Sequence, residues 1–417
     1  MNATLLTATA PTTGHETIEA SDDAPVRSRR RVNWREGVLP TGGVVIAAVA
    51  VRAALFPIES SDLVGFLQPW WNEIKAHGHL ASLKSGFSNY TPAYLYLLAL
   101  ISYLPISARL AIKALSIAFE GVQAAAFVSV AALTPRGRTR LGRLLALTLA
   151  LFAPSVILNG AAWAQCDVIH TAFVLLALRA ALADRWWRAT ALAGAALSFK
   201  LQATFFLPAL VLMLAKAPVP RRKLLALLLV PLVFLISLVP AWWVGRPARE
   251  LLLIYVQQTG CYTDLTLSAP SIYQWLPGAP SAPLRAAGVV ITGAVFAAAL
   301  YLVRQSSLAW TSRERVLTAL ATTLACPFLL PSMHERYFYT ADVLSMLLPF
   351  WLPSRWWVPL AISAASTLCY GNYLFGQSPF ELKYLAVLMA VALGAVVRDW
   401  GRGLALEWGS AGGGTES

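Results

Sequence analysis

Seven consecutive residues, Pro331-Ser332-Met333-His334-Glu335-Arg336-Tyr337, set three ionisable side chains in a row between the apolar runs 316–330 and 338–352. Charges flanked by membrane-grade sequence are costly unless they serve a polar site, so such a string is a functional-site hypothesis. As cations, His334 and Arg336 would clamp a phosphate, with Glu335 positioning the pair and Tyr337 adding a hydroxyl. The competing reading is a plain Glu335–Arg336 ion pair. Helix-borne metal binding needs two histidines at i and i+4. Only His334 is present here, so zinc hydrolase chemistry is not expected, and no metal or cofactor is assigned.

Three other clusters carry chemistry of the same kind. Trp163, Gln165 and Asp167 fall within five residues of one another in Asn159-Gly-Ala-Ala-Trp-Ala-Gln-Cys-Asp167. An aromatic face with amide and carboxylate partners suits sugar hydroxyls; an interfacial Trp with an N-capping Asp explains the same residues. Phe199-Lys200-Leu201-Gln202 interrupts a run that is otherwise apolar from Ala189 to Leu214. A snorkelling lysine belongs near a run's end, whereas Lys200 is in the middle, where a cation suits a phosphate held at membrane depth. Asp62 follows the first apolar run in Glu59-Ser60-Ser61-Asp62. It reads either as a capping or solvated carboxylate or as a general base for an acceptor hydroxyl. For the base, a place on a loop above the cavity, opposite the cations, is expected; the rival carboxylates are Glu59, Asp167 and Glu335.

The elements that must hold these residues are membrane helices. The chain has 417 residues, 58% hydrophobic and 13% charged, with mean hydropathy +0.61. A soluble chain carries roughly a quarter charged residues. Its apolar runs approach the roughly 20 residues a crossing helix needs, and lack the short alternating segments of a barrel. They lie at 40–57, 91–105, 108–133, 142–158, 167–183, 189–215, 224–244, 284–303, 316–330, 338–353, 355–371 and 381–397. The net charge of +13 is concentrated in short basic breaks between them, the positive-inside pattern, so nucleic acid is not an expected partner.

All basic breaks fall on one side if 91–105 does not cross and 189–215 turns back near Lys200. An all-α polytopic membrane protein with about 12 transmembrane helices is then expected, with both termini cytoplasmic. The expected domains are a disordered tail at 1–34, a membrane domain at 35–402 and a tail at 403–417. The segments 58–107, 159–166, the turn at Lys200, 245–283, 331–337 and 372–380 become external, and the unusual polar residues fall almost entirely there. The long first external loop is expected to carry interfacial helices at 63–77 and 91–105, with Trp70 and Trp71 at headgroup depth above lipid. The four cysteines show no metal-ligand spacing, and Cys166 and Cys261 share the external face, where a disulfide is conceivable.

In this order the clusters resemble the bacterial relatives of the GPI-anchor mannosyltransferases, in the GT-C superfamily. The matching pieces are Asp62 after the first helix, Asn89-Tyr90-Thr91-Pro92 for a Tyr-x-Pro element, and Trp163-Ala-Gln-Cys-Asp167 for a Trp-Gly-Gln-x-Asp element. Phe199-Lys-Leu-Gln202 and Met333-His-Glu-Arg-Tyr337 complete the set. The resemblance spans about 40–400. It implies an inverting transfer of a sugar, mannose first, from a polyprenyl-phosphate donor to a hydroxyl on the periplasmic or outer face of a bacterial inner membrane. Asp62 is then the base; Lys200, His334 and Arg336 bind the donor phosphate; Trp163, Gln165, Asp167, Gln202, Glu335 and Tyr337 bind sugar or acceptor. The acceptor stays open among glycan, glycolipid and protein, and membrane lipids are partners. Asp62 is followed by Leu63 and Val64, so the loop has no Asp-x-Asp pair, and Ala164 replaces the usual glycine. A GT-C enzyme for glucose or arabinose and a polytopic transporter are the alternatives.

Overall fold

The computed structural model describes residues 34–404 apart from 219 and 279. The tails expected at 1–34 and 403–417 therefore lie outside the described residues, except for Trp34, Gly403 and Leu404. The protein is all-α, about 78% helical, with one parallel pair of two-residue strands, Thr266–Leu267 against Met333–His334. Among the described residues three helices have the length and composition to cross a membrane: Ala108–Ala131, Arg222–Trp243 and Ser281–Gln305. Arg140–Phe152 and Pro154–Ala162, bent by 47° at their junction, make a fourth if they form one broken span.

Local chemistry explains where several elements start and stop. Ser107 caps the 108–131 helix by accepting from Leu110 N at 3.2 Å. Thr311 and Glu314 form a capping box that opens Ser312–Leu329. Gly376, at φ +71°, closes Trp357–Phe375 in the left-handed conformation that glycine adopts without a Cβ clash. Gly194 matters for packing: a Cβ there would sit 2.8 Å from the carbonyl oxygen of Val230, so only glycine lets the 186–199 helix approach the 229–243 helix this closely.

Residues 91–105 form a helix only at Pro92–Ile101, about 15 Å long and too short to cross. The 189–215 run breaks at Lys200, which is extended (φ −153°, ψ 141°) between Trp186–Phe199 and a 3-10 turn at Leu201–Phe206. The run 338–353 forms two short helices, Tyr339–Ser345 and Leu348–Trp351. In the first loop the interfacial reading of the tryptophans needs correction. A π-helical turn at Leu63–Leu67 leads into Gln68–Ala76, and Leu63, Trp70, Trp71 and Ile74 are all buried in the protein. The apolar face of this stretch packs inward; Val64 and Phe66 are the large exposed groups.

Two buried cations fix the chain on its way to Asp62. Arg52 pairs with Glu120 and donates to the carbonyl of Leu151 at 2.7 Å, tying the first helix to two others. Lys113 Nζ donates to the carbonyls of Phe56 (2.9 Å) and Ile58 (2.5 Å), just past the end of the first helix. Those carbonyls have no partner within the helix, and the ammonium satisfies them.

Candidate functional site

Asp62 leaves that anchored end beside the 158–167 segment. Ser60 Oγ donates to the carbonyl of Trp163 at 2.6 Å, which stitches the two segments together. Asp62 Oδ2 then accepts from Trp163 Nε1 at 2.9 Å and from Gln165 Nε2 at 2.5 Å. The same oxygen lies 3.5 Å from Nη1 of Arg336. Its other oxygen, Oδ1, accepts the hydroxyl of Tyr373 at 2.5 Å.

The 158–167 segment can present its side chains this way because it reverses sharply. A π-helical turn at Leu158–Ala162 is followed by Ala164 at φ +67°, and Gln165 N returns to Asn159 O at 2.9 Å. A residue with a Cβ is strained in that conformation. Asp167 is the first residue inside the next helix and makes no cap; Cys166 holds that position. The Asp167 carboxylate instead accepts from Lys200 Nζ at 2.5 Å and from Asn159 Nδ2 at 2.9 Å.

Lys200 reaches inward because the chain is extended there and the helix end before it is pinned. Thr91 Oγ1 donates to the carbonyls of Ser198 (2.6 Å) and Phe199 (3.2 Å). The ammonium lies 5.4 Å from the Tyr90 ring centroid and donates to Gln165 Oε1 at 3.2 Å. The Tyr90 hydroxyl donates to that same oxygen at 3.1 Å. Gln165 thereby joins the two halves of the site, its nitrogen on Asp62 and its oxygen under Lys200.

Arg336 closes the arrangement. Its Nε is 4.0 Å from Asp167 Oδ2, and its guanidinium stands over Trp163 and Tyr337 at 5.6 and 5.7 Å. Lys200, Asp167, Arg336 and Asp62 alternate in sign, and their formal charges cancel. All four side chains are largely buried, with Asp62 the most accessible at 14%. A neutral, pre-arranged set of this kind can exchange an internal carboxylate for the oxygens of an anionic ligand without moving charge in from bulk water.

His334 requires a second correction. Burial, with Arg336 and Lys200 nearby, pulls its imidazole down to about 3, so at neutral pH it carries no charge and is not a third cation. It sits in the strand pair, turned edge-on to the rings of Tyr262 (4.8 Å) and Tyr337 (5.2 Å). Ser332, at φ +59°, holds this strand by bonding the carbonyls of Leu265 and Asp264. The His334 Nε2 is buried without a hydrogen-bond partner, as is Gln202 Oε1. Glu335 is buried and its carboxyl is pushed up to about 7, mainly by loss of solvent. His334 Nδ1 is 3.9 Å from Glu335 Oε2, and the charge of Arg336 partly opposes the rise.

A third difference concerns Asp62 itself. Expected opposite the cations, it lies beside Arg336, because Trp163 and Gln165 draw Oδ2 into the ring. Opposition survives within the carboxylate: Oδ2 faces the cations and Oδ1 faces the hydroxyl of Tyr373.

The ring opens into a narrow pocket of about 60 Å³ bounded by Lys200, Arg336 and Tyr90. This pocket shares Gln202, Gln258, Tyr262 and Tyr337 with a larger cleft of about 610 Å³ that Arg285 and Val289 also line. Asn159, Tyr90 and Tyr373 also belong to the site. Tyr90 stands in the polar stretch Asn89-Tyr90-Thr91-Pro92, whereas Tyr373, at an apolar helix end, carries no sequence signal. Among the described residues no three His, Cys, Asp or Glu side chains are grouped to hold a metal ion. The cysteines are free, with Cys166 buried and Cys261 exposed, so the conceivable disulfide is not formed.

Sequence comparison with protein-family models and with curated proteins finds no match for this chain.

Proposed function

We propose that this protein is an integral-membrane glycosyltransferase of the GT-C type that moves a sugar, mannose first, from a polyprenyl phosphate to an acceptor hydroxyl with inversion. The observation that carries the reading is the convergence of Lys200 and Arg336 on Asp167, with Asp62 Oδ2 on the far side of Arg336 and a cleft leading away. The donor phosphate takes the narrow pocket, where Lys200 and Arg336 stabilise the charge that develops as the anomeric bond breaks, and His334 Nε2–H is a neutral donor behind them. Asp62 takes the acceptor proton. Trp163, Gln165, Asp167, Gln202, Glu335 and Tyr337 shape the sugar's surroundings.

The cleft suits the first part of a prenyl chain. On the Ser281–Gln305 helix, which also lines the cleft, Val295, Phe296 and Leu302 help line a second, apolar cavity of about 270 Å³ together with Trp400. In this reading the chain crosses about 12 times, several crossings being broken, with the site on the outer face of a bacterial inner membrane. A single cysteine at position 138 should resist an impermeant external thiol reagent in intact cells; labelling there reverses the orientation.

The direct test is transfer by purified protein in nanodiscs from radiolabelled mannosyl, glucosyl and arabinosyl polyprenyl phosphates. Lys200→Ala and Arg336→Ala should each lower turnover about 10²–10³-fold while the protein stays folded. Absence of binding and turnover with every donor rejects the reading. The buried Arg52–Glu120 pair, with Glu120 on a helix long enough to cross, also favours a second reading, transport, since buried charge at depth marks ion and substrate paths. Substrate flux in proteoliposomes, without glycosidic product, would select it.

A further inference from the structure

Asp62 has two oxygens with different company. Oδ2 is occupied from three sides by Trp163, Gln165 and Arg336. Oδ1 has one neutral partner, the phenol of Tyr373. That phenol accepts in turn from Ser61 Oγ at 2.6 Å, and its ring lies stacked on the Trp163 indole, 4.5 Å between centroids and 16° between planes. So one hydroxyl sits between a donor, Ser61, and an ionisable acceptor, Asp62, while the ring that carries it rests on an aromatic floor. These are the contacts a sugar makes when a pyranose face stacks on an indole and a hydroxyl is bound for deprotonation.

We infer that the Tyr373 phenol occupies the acceptor-hydroxyl subsite, and that the incoming acceptor, a sugar ring presenting a free hydroxyl, displaces Tyr373 to reach Asp62 Oδ1. This deepens the transferase reading and rests on it for the chemical step. In that step the acceptor O–H proton passes to Asp62 Oδ1 as its oxygen bonds to the anomeric carbon. The bond from that carbon to the phosphate oxygen breaks, and its electron pair leaves with the polyprenyl phosphate. Ser61 orients the attacking oxygen and takes no proton.

The position of Tyr373 permits the exchange. It lies in the last turn of the Trp357–Phe375 helix, three residues before Gly376, and is only part-buried. Ser61 is exposed. By contrast, Asp167 and Glu335 are almost fully buried. The phenol also shields the base. With Tyr373 in place, water cannot take the position from which it would attack a bound donor, which would limit wasteful hydrolysis.

Two measurements test this, and they fail separately. The first is release of free sugar from radiolabelled mannosyl polyprenyl phosphate with no acceptor. A hydrogen bond to an ionised group is worth about ten- to a hundredfold in an equilibrium. Tyr373→Phe, which keeps the stack and loses the hydroxyl, should therefore raise hydrolysis about tenfold or more, and Asp62→Asn in the same chain should abolish the gain. The second needs no donor: labelling of Asp62 by a water-soluble carbodiimide with an amine nucleophile, read by mass spectrometry. In Tyr373→Ala, labelling of Asp62 should rise about tenfold, labelling of Asp167 and Glu335 should not, and octyl mannoside should suppress the rise. Unchanged Asp62 labelling in a folded Tyr373→Ala protein, or a rise indifferent to octyl mannoside, overturns the subsite. A turned-over donor with no extra hydrolysis in Tyr373→Phe also overturns it. A positive labelling result with no donor turnover in any variant sinks the transferase reading and leaves the hydroxyl subsite standing.

Discussion

Lys200 Nζ lies 2.5 Å from Asp167 Oδ1, and both side chains are buried. A pair this deep is weak as a source of stability but costly to halve, because removing one partner strands the other charge. Lys200→Met alone and Asp167→Asn alone should each destabilise by about 3–5 kcal/mol. The double variant should recover part of that loss. Thermal unfolding in detergent for the four proteins of the cycle measures it; additive losses would show that the two residues do not act as a pair. Activity should fall about 10²–10³-fold in the two variants that lack Lys200, since recovered stability does not restore a cation to the site.

Much of this site was legible because charged and polar residues inside apolar sequence have few structural excuses. Asp62, Lys200 and Arg336 stood out on that ground, and the break at Lys200 followed from keeping the basic segments on one side. What was not legible depended on burial and on three-dimensional company. Periodicity at 63–77 shows which face is apolar but not what covers it, so Trp70 and Trp71 were assigned to lipid although they pack inward. The charge of His334 is set by desolvation and by cations from other segments. Tyr373 sits in an apolar helix where a tyrosine is unremarkable, and only its contact with Asp62 Oδ1 gives it a role.

Ala164 tests the reversal that aims Trp163 and Gln165. Its left-handed backbone costs an L-residue about 1–2 kcal/mol. Ala164→Gly removes that strain, loses a buried methyl worth about 0.8 kcal/mol, and frees the unfolded chain by about 0.4–1 kcal/mol. The terms nearly cancel, so its melting temperature should stay close to the parent's. Ala164→Val adds β-branching in a fully buried left-handed position and should unfold the segment. A large loss in Ala164→Gly would show that the turn is not strained.

Glu335 sets a pH dependence. Its carboxyl titrates near 7 in the folded protein against an ordinary value of 4.5, chiefly because burial disfavours the anion. The folded state then binds the proton more tightly than the unfolded state. Relative stability is full below about 4.5 and is lost as pH rises toward 7. Glu335→Gln removes this dependence. Relative to the parent, the variant should gain stability progressively across that window, by about 1–3 kcal/mol at the upper end, with a constant difference outside it. Thermal unfolding of both proteins at several pH values checks this, and a difference independent of pH would mean that Glu335 is ionised throughout.

Asp62→Asn separates catalysis from architecture. Asparagine keeps one oxygen to accept from Trp163 and Gln165, so the ring should hold its shape at modest cost in stability. The amide cannot accept the acceptor proton, and transfer should fall by about 10²–10⁴-fold while donor binding, proposed for Lys200 and Arg336, stays within severalfold of the parent. Glu59 is the neighbouring alternative, but it is exposed and paired with Arg109 at 3.0 Å, outside the ring. Glu59→Gln should therefore keep near-parental turnover. The comparison needs both variants in the same donor and acceptor assay, with donor binding measured separately. Full activity in Asp62→Asn and loss in Glu59→Gln would move the base to Glu59. Full activity in both would leave proton abstraction to no carboxylate of this loop, and the assignment of Oδ1 as the proton acceptor would fall with it.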